Sequence, residues 1–182
     1  MQQQSPTPLA YFITFTCYGT WLHGEKNISV DKQNNTPGTE FIRMNHYRSA
    51  SVKKRLIEQP YLLDHTRREI VLSTIKEVCT FRAWVLLAAH IRTNHIHLVV
   101  HSTESPENIM NTIKAYASRR LNELKIDKDR LKRWTRHGST RYLWNQPEVE
   151  ATIQYVVHEQ GEPMAVFENK SLSCFAGAVI TP

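Results

Sequence analysis

The stretch AWVLLAAHIRTNHIHLVVH, residues 83–101, decides how this chain folds. It contains two apolar runs, 83–91 and 95–101, which only three polar residues separate. Apolar runs of this length that are bounded by polar residues favour β-strands, and so short a connection suits an antiparallel hairpin. The sequence therefore predicts two adjacent antiparallel strands at the centre of the protein.

The flanking segments predict one more strand and three helices. Residues 10–18, AYFITFTCY, are aromatic and β-branched and predict a strand. Asp64 can cap a helix that runs to about Phe81. Two further helices are predicted from a proline in the first turn: one starts at Ser105-Pro106-Glu107 and runs to about Leu124, and one opens at Pro147 and ends before Gly161, with the extended piece RYLW (141–144) between them.

The order strand, helix, two strands, helix resembles a ferredoxin-like α+β layout, in which helices pack on one face of an antiparallel sheet. The length of 182 residues suits one domain, 1–182, with a core over about 10–167. Residues 19–63 carry glycines, prolines and polar runs and predict a long loop with a short helix near 46–58. The tail, 168–182, has little pattern and predicts weak structure.

The charge of the chain favours a polyanionic partner. Lys and Arg number 23 against 17 Asp and Glu, a formal net charge of +6, and cations near phosphates release condensed counterions. A merely basic protein is the alternative interpretation. Three scattered cysteines predict neither a disulfide framework nor a thiolate zinc site. With no signal peptide pattern and no apolar run of membrane length, the sequence predicts a cytoplasmic, nucleoid-associated protein without a membrane partner.

His95 and His97 flank Ile96 on the second strand of the hairpin. Residues i and i+2 of a strand point to the same face, so both imidazoles project together while Ile96 points into the core. Two adjacent imidazoles are a start for a divalent metal site. An incidental histidine pair is the alternative, and a histidine-triad nucleotide hydrolase is disfavoured because position 99 is Val.

Tyr155 and Glu159 stand four apart on the last helix, so their side chains are neighbours on one flank. A tyrosine hydroxyl is a plausible nucleophile for phosphodiesters, and the phosphotyrosine it forms retains the energy needed for rejoining. Glu159 offers the oxygen that Mg²⁺ and Mn²⁺ prefer. The alternatives are a tyrosine packed at the core rim and a solvated carboxylate. Tyr116, at the edge of an apolar helix face, is a second tyrosine for which core packing is favoured.

The segment 125–141, KIDKDRLKRWTRHGSTR, is strongly basic and includes two rings. Cations that follow phosphates and rings that stack on bases are typical of a surface for single-stranded nucleic acid. A solvated loop is the alternative. The candidate DNA-binding residues here, in the preceding helix and after the first strand are Lys114, Arg119, Arg120, Lys132, Arg133, Trp134, Arg136, His137, Arg141, Trp21 and His23.

Five segments together carry a family signature, and they read YFITFTCYGTWLHG (11–24), HIRTNHIHLVV (90–100), KAYASRRLNE (114–123), RWTRHGSTRYLW (133–144) and QYVVHEQGEPM (154–164). They resemble the single-tyrosine HUH transposases, in the branch of the REP-associated tyrosine transposases related to the insertion-sequence-200 type. U denotes a hydrophobic residue, here Ile96. The resemblance spans roughly residues 10–167, and an HUH motif with a tyrosine helix about 60 residues later is specific.

The resemblance implies that His95 and His97 bind a divalent ion, Mg²⁺ or Mn²⁺, and that Tyr155 is the nucleophile. It implies Glu159 as the third ligand, at a position where the family commonly has Gln or Asn, with Gln160 as the alternative if the helix register differs by one. The implied reaction cleaves and rejoins single-stranded DNA at hairpin-containing or palindromic repeats through a 5′-phosphotyrosine, leaving a free 3′-hydroxyl.

Other interpretations stay open at this point. A domesticated, non-catalytic single-stranded DNA-binding protein would keep the fold and lose cleavage. A replication-initiation or relaxase nuclease would use the same chemistry in a longer chain. A static zinc-stabilised domain is disfavoured because cysteine ligands are missing. A homodimer that shares its active sites and a monomer are both compatible with the sequence.

Overall fold

The computed structural model describes residues 7–20, 56–127 and 129–172. In chain order its main elements are β1 (Ala10–Thr16), α1 (His65–Phe81), β2 (Val85–Ile91), β3 (His95–His101), α2 (Pro106–Glu123), β4 (Ser139–Leu143), α3 (Gln146–His158) and β5 (Ala165–Glu168), followed by a 3₁₀ turn, Lys170–Leu172. The predicted strands and helices are confirmed, with ends that shift by one to three residues.

The five strands form one sheet in the order β4-β1-β3-β2-β5, and every neighbouring pair is antiparallel. The predicted hairpin joins β2 to β3, with His90 opposite His97. Strand β1 pairs with β3 on its other side, with Thr14 opposite His97 and Thr16 opposite His95. The histidine strand is therefore the middle strand of the sheet, as the sequence predicts.

Each helix begins where a side chain can satisfy its unpaired amides. Asp64 caps α1 by accepting from the Arg67 amide, Ser105 caps α2 by accepting from Asn108, and Asn145 caps α3 by accepting from Glu148. Prolines at the starts of α2 and α3 fit there because the first turn needs no amide donor.

The helices occupy both faces of the sheet. Helices α1 and α2 cover the face that carries Ile13, Phe15, Ile96 and Leu98 and form the larger core with it. Helix α3 packs on the opposite face in a second cluster that includes Val99, through the apolar side chains predicted from its periodicity. The α+β antiparallel fold is confirmed, but the expectation that the helices share one face holds only for α1 and α2. Periodicity reveals which side of α3 is apolar but does not say which face of the sheet that side covers.

Strand β5 was not predicted. It is four residues long and lies at the sheet edge against β2, with Ala89 opposite Phe167 and His90 opposite Val166. So short a segment has too few residues for a period to stand out. Most of the predicted loop, residues 21–55, lies outside the described residues, and so does the tail beyond 172. At the end of the short helix predicted near 46–58, residues 56–58 are described and are not helical.

Gly138 allows the start of β4 to approach the sheet closely. A Cβ atom there would lie 2.5 Å from the Thr14 carbonyl oxygen and 2.5 Å from Met110 Sδ. No side chain fits at that distance, so a residue other than glycine would push β4 away from β1.

Among the described residues, no helix combines the length and apolar character that crossing a membrane requires.

Candidate active site

His95 and His97 lie side by side on the middle strand. Their ring centroids are 4.7 Å apart and the rings are inclined by 73°. Ile96 between them is fully buried on the other face, so the alternation predicted for this strand holds residue by residue. Helix α3 covers Val99, further along the same face.

Both rings are oriented through Nδ1. Nδ1 of His95 lies 2.7 Å from the side-chain oxygen of Asn94, which can only accept, so Nδ1 carries the proton and Nε2 keeps its lone pair. Nδ1 of His97 lies 2.8 Å from the Thr14 hydroxyl, which can donate or accept, so this contact orients the ring without fixing its tautomer. Partners that orient the ring through Nδ1 are typical of histidines that bind metals.

Burial keeps both imidazoles neutral. It lowers the pKa of His95 to about 4, with further lowering by the nearby charge of Arg92. Burial also lowers the pKa of His97 to about 3, helped by the adjacent His95, whereas a hydrogen bond with Gln160 acts in the opposite direction. Neutral imidazole is the form that coordinates a metal, so at neutral pH the pair needs no proton release to act as ligand.

Tyr155 faces this pair from helix α3. Its ring centroid is 5.9 Å from that of His97 and 6.0 Å from that of Phe12. Phe12 in turn stacks on His97 at 5.5 Å, with 27° between the planes. The side chain of Tyr155 is 40% exposed. The tyrosine is thus held against the histidine pair of its own chain while solvent still reaches it.

The end of α3 separates the two candidates for a third ligand. The helix stops at His158, and Glu159 is its cap residue, with an exposed side chain. Gln160 is half-buried, contacts His97 through its side chain, and also donates from Nε2 to the Tyr155 carbonyl oxygen at 3.2 Å. Gly161 follows with φ +76°, the left-handed conformation in which a helix commonly ends. The structure brings Gln160 to the histidine pair.

Glu159 does not complete the pair into a cluster of three. Within residues 7–20, 56–127 and 129–172, no three His, Cys, Asp or Glu side chains are placed where they could hold a metal ion together. Spacing alone favours Glu159, because positions i and i+4 are neighbours on a continuing helix. The Glu159 amide still donates to the Tyr155 carbonyl oxygen at 3.2 Å, so Glu159 remains one turn from Tyr155, but its side chain is exposed.

His90 also lies against this site. It is fully buried, and burial lowers its pKa. Nδ1 lies 2.9 Å from the Val156 carbonyl oxygen, and the Met164 amide donates to Nε2 at 3.3 Å. Arg92, two residues on, donates from Nη1 to the Glu162 carbonyl oxygen at 3.2 Å. Neither residue is a predicted site residue, although a histidine opposite the motif in a predicted hairpin was a usable signal.

Some candidate DNA-binding residues lie in the interior. Lys114 is 7% exposed, donates to the carbonyl oxygens of Thr135 (3.0 Å) and His137 (3.2 Å), and lies over the Phe15 ring. Burial lowers the pKa of Lys114 to about 8. Its bonds fasten the chain before β4 to helix α2, so its ammonium group is not directed at a ligand.

Arg133 and Trp134 are similarly internal. Arg133 is 4% exposed and donates to the Asn122 side-chain oxygen (2.7 Å) and the Asp127 carbonyl oxygen (2.6 Å). Trp134 donates to the Lys114 carbonyl oxygen at 3.0 Å, and its ring packs edge-on to that of Phe15. These side chains close the core beneath the basic segment, because the amphipathic bodies of Arg and Trp pack well there.

The remaining basic candidates within the described residues are exposed. Arg141 on β4 donates to the Thr152 hydroxyl at 2.8 Å and lies over the Phe12 ring, next to Tyr155. The segment before β4 runs along β1, where the Thr135 amide donates to the Thr16 carbonyl oxygen at 3.0 Å. Trp21 and His23 lie outside the described residues. The exposed set is Arg119, Arg120, Lys132, Arg136, His137 and Arg141.

Fold and site together define an α+β protein in which a histidine pair on the middle strand of an antiparallel sheet faces a tyrosine from a helix. Residues 44–159 match the family described as IS200-like transposases. The chain belongs to this family, as its resemblance in sequence predicts.

Two solved structures are similar to the chain. One is a REP-associated tyrosine transposase bound to a REP hairpin, with 8% identity, a TM-score of 0.45, and coverage of 87% of this chain and 71% of that one. The other is a transposase candidate from Deinococcus radiodurans R1, with 13% identity, a TM-score of 0.43, and coverage of 88% and 96%. No curated protein matches the chain.

Proposed function

We propose that this transposase cleaves and rejoins single-stranded DNA at hairpin-containing repeats, with Tyr155 as the nucleophile. The observation that carries the proposal is the placement of the Tyr155 ring 5.9 Å from that of His97, beside two neutral imidazoles and open to solvent. A tyrosine that only filled the core would be buried, whereas Tyr155 is exposed and also contacts His97. Family membership supports the same class of reaction.

His95, His97 and Gln160 are the residues that would hold a divalent ion, Mg²⁺ or Mn²⁺. Two imidazoles whose rings are oriented through Nδ1 and an amide oxygen form a donor set that fits such an ion. When bound, the ion would supply Lewis acidity at the scissile phosphate and help to orient it. Glu159, the third ligand that the resemblance implies, is exposed at the end of α3 and does not form a group of three with the two histidines.

Tyr155 would attack the phosphorus in line and form an oxygen–phosphorus bond, while the bond to the 3′ oxygen of the preceding nucleotide breaks. The phenolic proton passes to solvent, to which Tyr155 is exposed, and the leaving oxygen takes a proton from solvent to become a 3′-hydroxyl. The 5′-phosphotyrosine keeps the energy of the broken bond, so a 3′-hydroxyl can attack it and rejoin a strand. Phe12 and His97 restrict the tyrosine ring from two sides, which reduces the orientational freedom lost in the attack.

The exposed basic side chains are the proposed contacts to DNA. Arg136 and His137 precede β4 beside the strand that carries Thr14 and Thr16, and Arg141 lies next to Phe12. Cations there would attract a phosphate backbone that passes the histidine pair. Arg119, Arg120 and Lys132 would extend this surface, and Trp21 and His23 remain candidates for stacking on bases. Lys114, Arg133 and Trp134 are left out of the proposed surface because they are internal.

The decisive experiment uses single-stranded oligonucleotides from palindromes that flank the gene. Each is incubated with the protein and Mg²⁺ or Mn²⁺ and then separated on a denaturing gel. We expect a covalent protein–DNA band that requires metal and is absent in Tyr155→Phe. Tyr116→Phe is the matched control, because Tyr116 packs against the core on α2 and should leave the band unchanged. A band that persists in Tyr155→Phe would contradict the assigned nucleophile, and binding without cleavage on every palindrome would indicate a non-catalytic DNA-binding protein.

A further inference from the structure

We propose that His90 is a positioning residue that holds the end of the tyrosine helix against the histidine pair. The inference rests on the proposed function, since it concerns how Tyr155 and Gln160 reach their places. Strand β2 carries His90 directly opposite His97 in the sheet, and its ring points to the face that helix α3 covers. His90 is therefore the link between the strand beside the motif and the helix that carries the tyrosine.

The two ring nitrogens of His90 have different partners. A carbonyl oxygen can only accept, so Nδ1 donates its proton to Val156 at 2.9 Å. The Met164 amide donates to Nε2 at 3.3 Å, so Nε2 is an acceptor. One neutral imidazole, protonated on Nδ1, satisfies both partners. A fully buried side chain with both nitrogens engaged is held in a single orientation.

The bond to Val156 replaces one that the helix lacks. In a continuing helix the Val156 carbonyl would accept from the amide of residue 160, but α3 ends at His158 and the chain turns away at Gly161. The imidazole of His90 satisfies that carbonyl instead. Because Val156 directly follows Tyr155, fixing this carbonyl also fixes the last turn, from which the tyrosine ring projects.

The bond to Met164 fixes the other end of the same turn. Residues 156 and 164 are both attached to one buried ring, so the segment between them, which carries Gln160, is held at two points. Arg92 adds a third attachment through the Glu162 carbonyl oxygen. Each of these contacts comes from β2 or the residue that follows it, so the strand beside the motif determines where Tyr155 and Gln160 lie relative to His97.

The test compares His90→Leu, which removes both bonds, with His101→Leu as the matched control. His101 lies at the far end of β3 and also bonds a main-chain carbonyl, that of Leu9, at 2.7 Å, away from α3. The first measurement is the nuclear Overhauser effect between the rings of Tyr155 and His97 in metal-free protein. We expect it in the wild type and in His101→Leu but not in His90→Leu. Its persistence in His90→Leu would overturn the proposal.

The second measurement is the single-turnover rate of oligonucleotide cleavage at saturating DNA. We expect a loss on the order of 100-fold in His90→Leu, because a displacement of about 1 Å in a reacting group costs that much, with DNA affinity unchanged. If His90 served only stability, its replacement would lower the melting temperature. Cleavage at temperatures below that melting temperature would then keep its wild-type rate. An unchanged rate in folded His90→Leu would overturn the proposal.

Two conservative variants keep the test decisive if His90→Leu does not fold. His90→Asn places an amide donor near the position of Nδ1 and retains the Val156 bond, whereas His90→Gln places its amide near Nε2 and retains only the Met164 bond. We expect cleavage to be restored better by Asn than by Gln, and wild-type rates in both would contradict the assignment. If the wild type cleaves no oligonucleotide, the proposed function fails, and the ring-to-ring measurement still decides the role of His90.

Discussion

The aromatic ring of Tyr155 lies edge-on to the imidazole of His97, with 5.9 Å between the centroids and 65° between the planes, and both belong to one chain. Phe12 contacts both rings and completes a three-ring cluster. A helix exchanged between subunits would place a partner's tyrosine at this position. Here Tyr155 lies beside the histidine pair of its own chain, so one chain brings together Tyr155, His97 and Gln160.

Mixing two inactive variants should therefore not restore activity. Tyr155→Phe retains the histidines and His97→Ala retains the tyrosine, so a site shared between chains would regain function in mixed dimers. With the nucleophile and the histidines in one chain, we expect covalent product to stay at background at every mixing ratio. The measurement is the protein–DNA band on a denaturing gel. Product from the mixture, at up to about one quarter of the wild-type level, would show that α3 serves a second subunit.

The third ligand can be identified by a pair of neighbouring substitutions. Gln160→Ala removes the side chain that contacts His97, so we expect the Mn²⁺ concentration for half-maximal cleavage to rise on the order of tenfold or more. Glu159→Ala is the control, because this side chain is exposed at the helix end, and it should leave that concentration within about twofold. Calorimetric titration with Mn²⁺ provides a second readout without DNA. The reverse ranking would restore Glu159 as ligand.

Arg136 and Arg133 should behave differently although both are basic and near each other in sequence. Arg136→Ala removes an exposed cation beside β1, so we expect weaker oligonucleotide binding. The slope of the logarithm of the binding constant against the logarithm of the salt concentration should fall in magnitude by about 1. Arg133→Ala removes buried hydrogen bonds to Asn122 and Asp127 and should lower the free energy of unfolding by on the order of 2 kcal/mol. Fluorescence anisotropy at several salt concentrations and urea denaturation measure the two effects. Weakened DNA binding by Arg133→Ala at full stability would contradict this division.

Asp127 should make the protein sensitive to acid. Burial raises its pKa, but hydrogen bonds from Arg67 (2.6 Å to Oδ1) and from the Tyr61 hydroxyl (2.5 Å to Oδ2) outweigh this and leave the pKa below 3.8. The folded state thus holds the proton more weakly than the unfolded state, so the stabilisation is present above pH 3.8 and is lost as the pH falls through the lower, folded value. The free energy of unfolding should therefore fall as the pH is lowered from 3.8 through the folded pKa of Asp127.

Asp127→Asn tests the assignment. At neutral pH we expect it to lower the free energy of unfolding by roughly 1–3 kcal/mol, because Arg67 and Arg133 lose a charged partner. Once the pH lies below the lowered, folded pKa of Asp127, the wild type and the variant should converge, since the aspartate is then protonated. Urea denaturation across this range measures both effects. Equal losses at all pH values would show that the charge of Asp127 is not what stabilises the fold.

The sequence alone determined those features that depend on the period of a single element. Side chains alternate along a strand, so the common direction of His95 and His97 followed from their spacing and was confirmed. The apolar side of α3 followed in the same way, and the residue types at the starts of α1 and α2 indicated their caps, Asp64 and Ser105. Family membership was also readable, because the motif and the tyrosine helix keep a characteristic separation in the chain.

Tertiary structure alone decided how these elements face one another. A period gives directions around an element's own axis, but it does not say on which face of the sheet α3 packs, or that Gln160, just beyond the end of that helix, contacts His97. Composition likewise marked Arg133 as a DNA contact, whereas the fold buries it beside Asp127. The physical reason is that burial and non-local hydrogen bonds, such as those of His90, join residues far apart in sequence, and only the folded chain specifies those pairs.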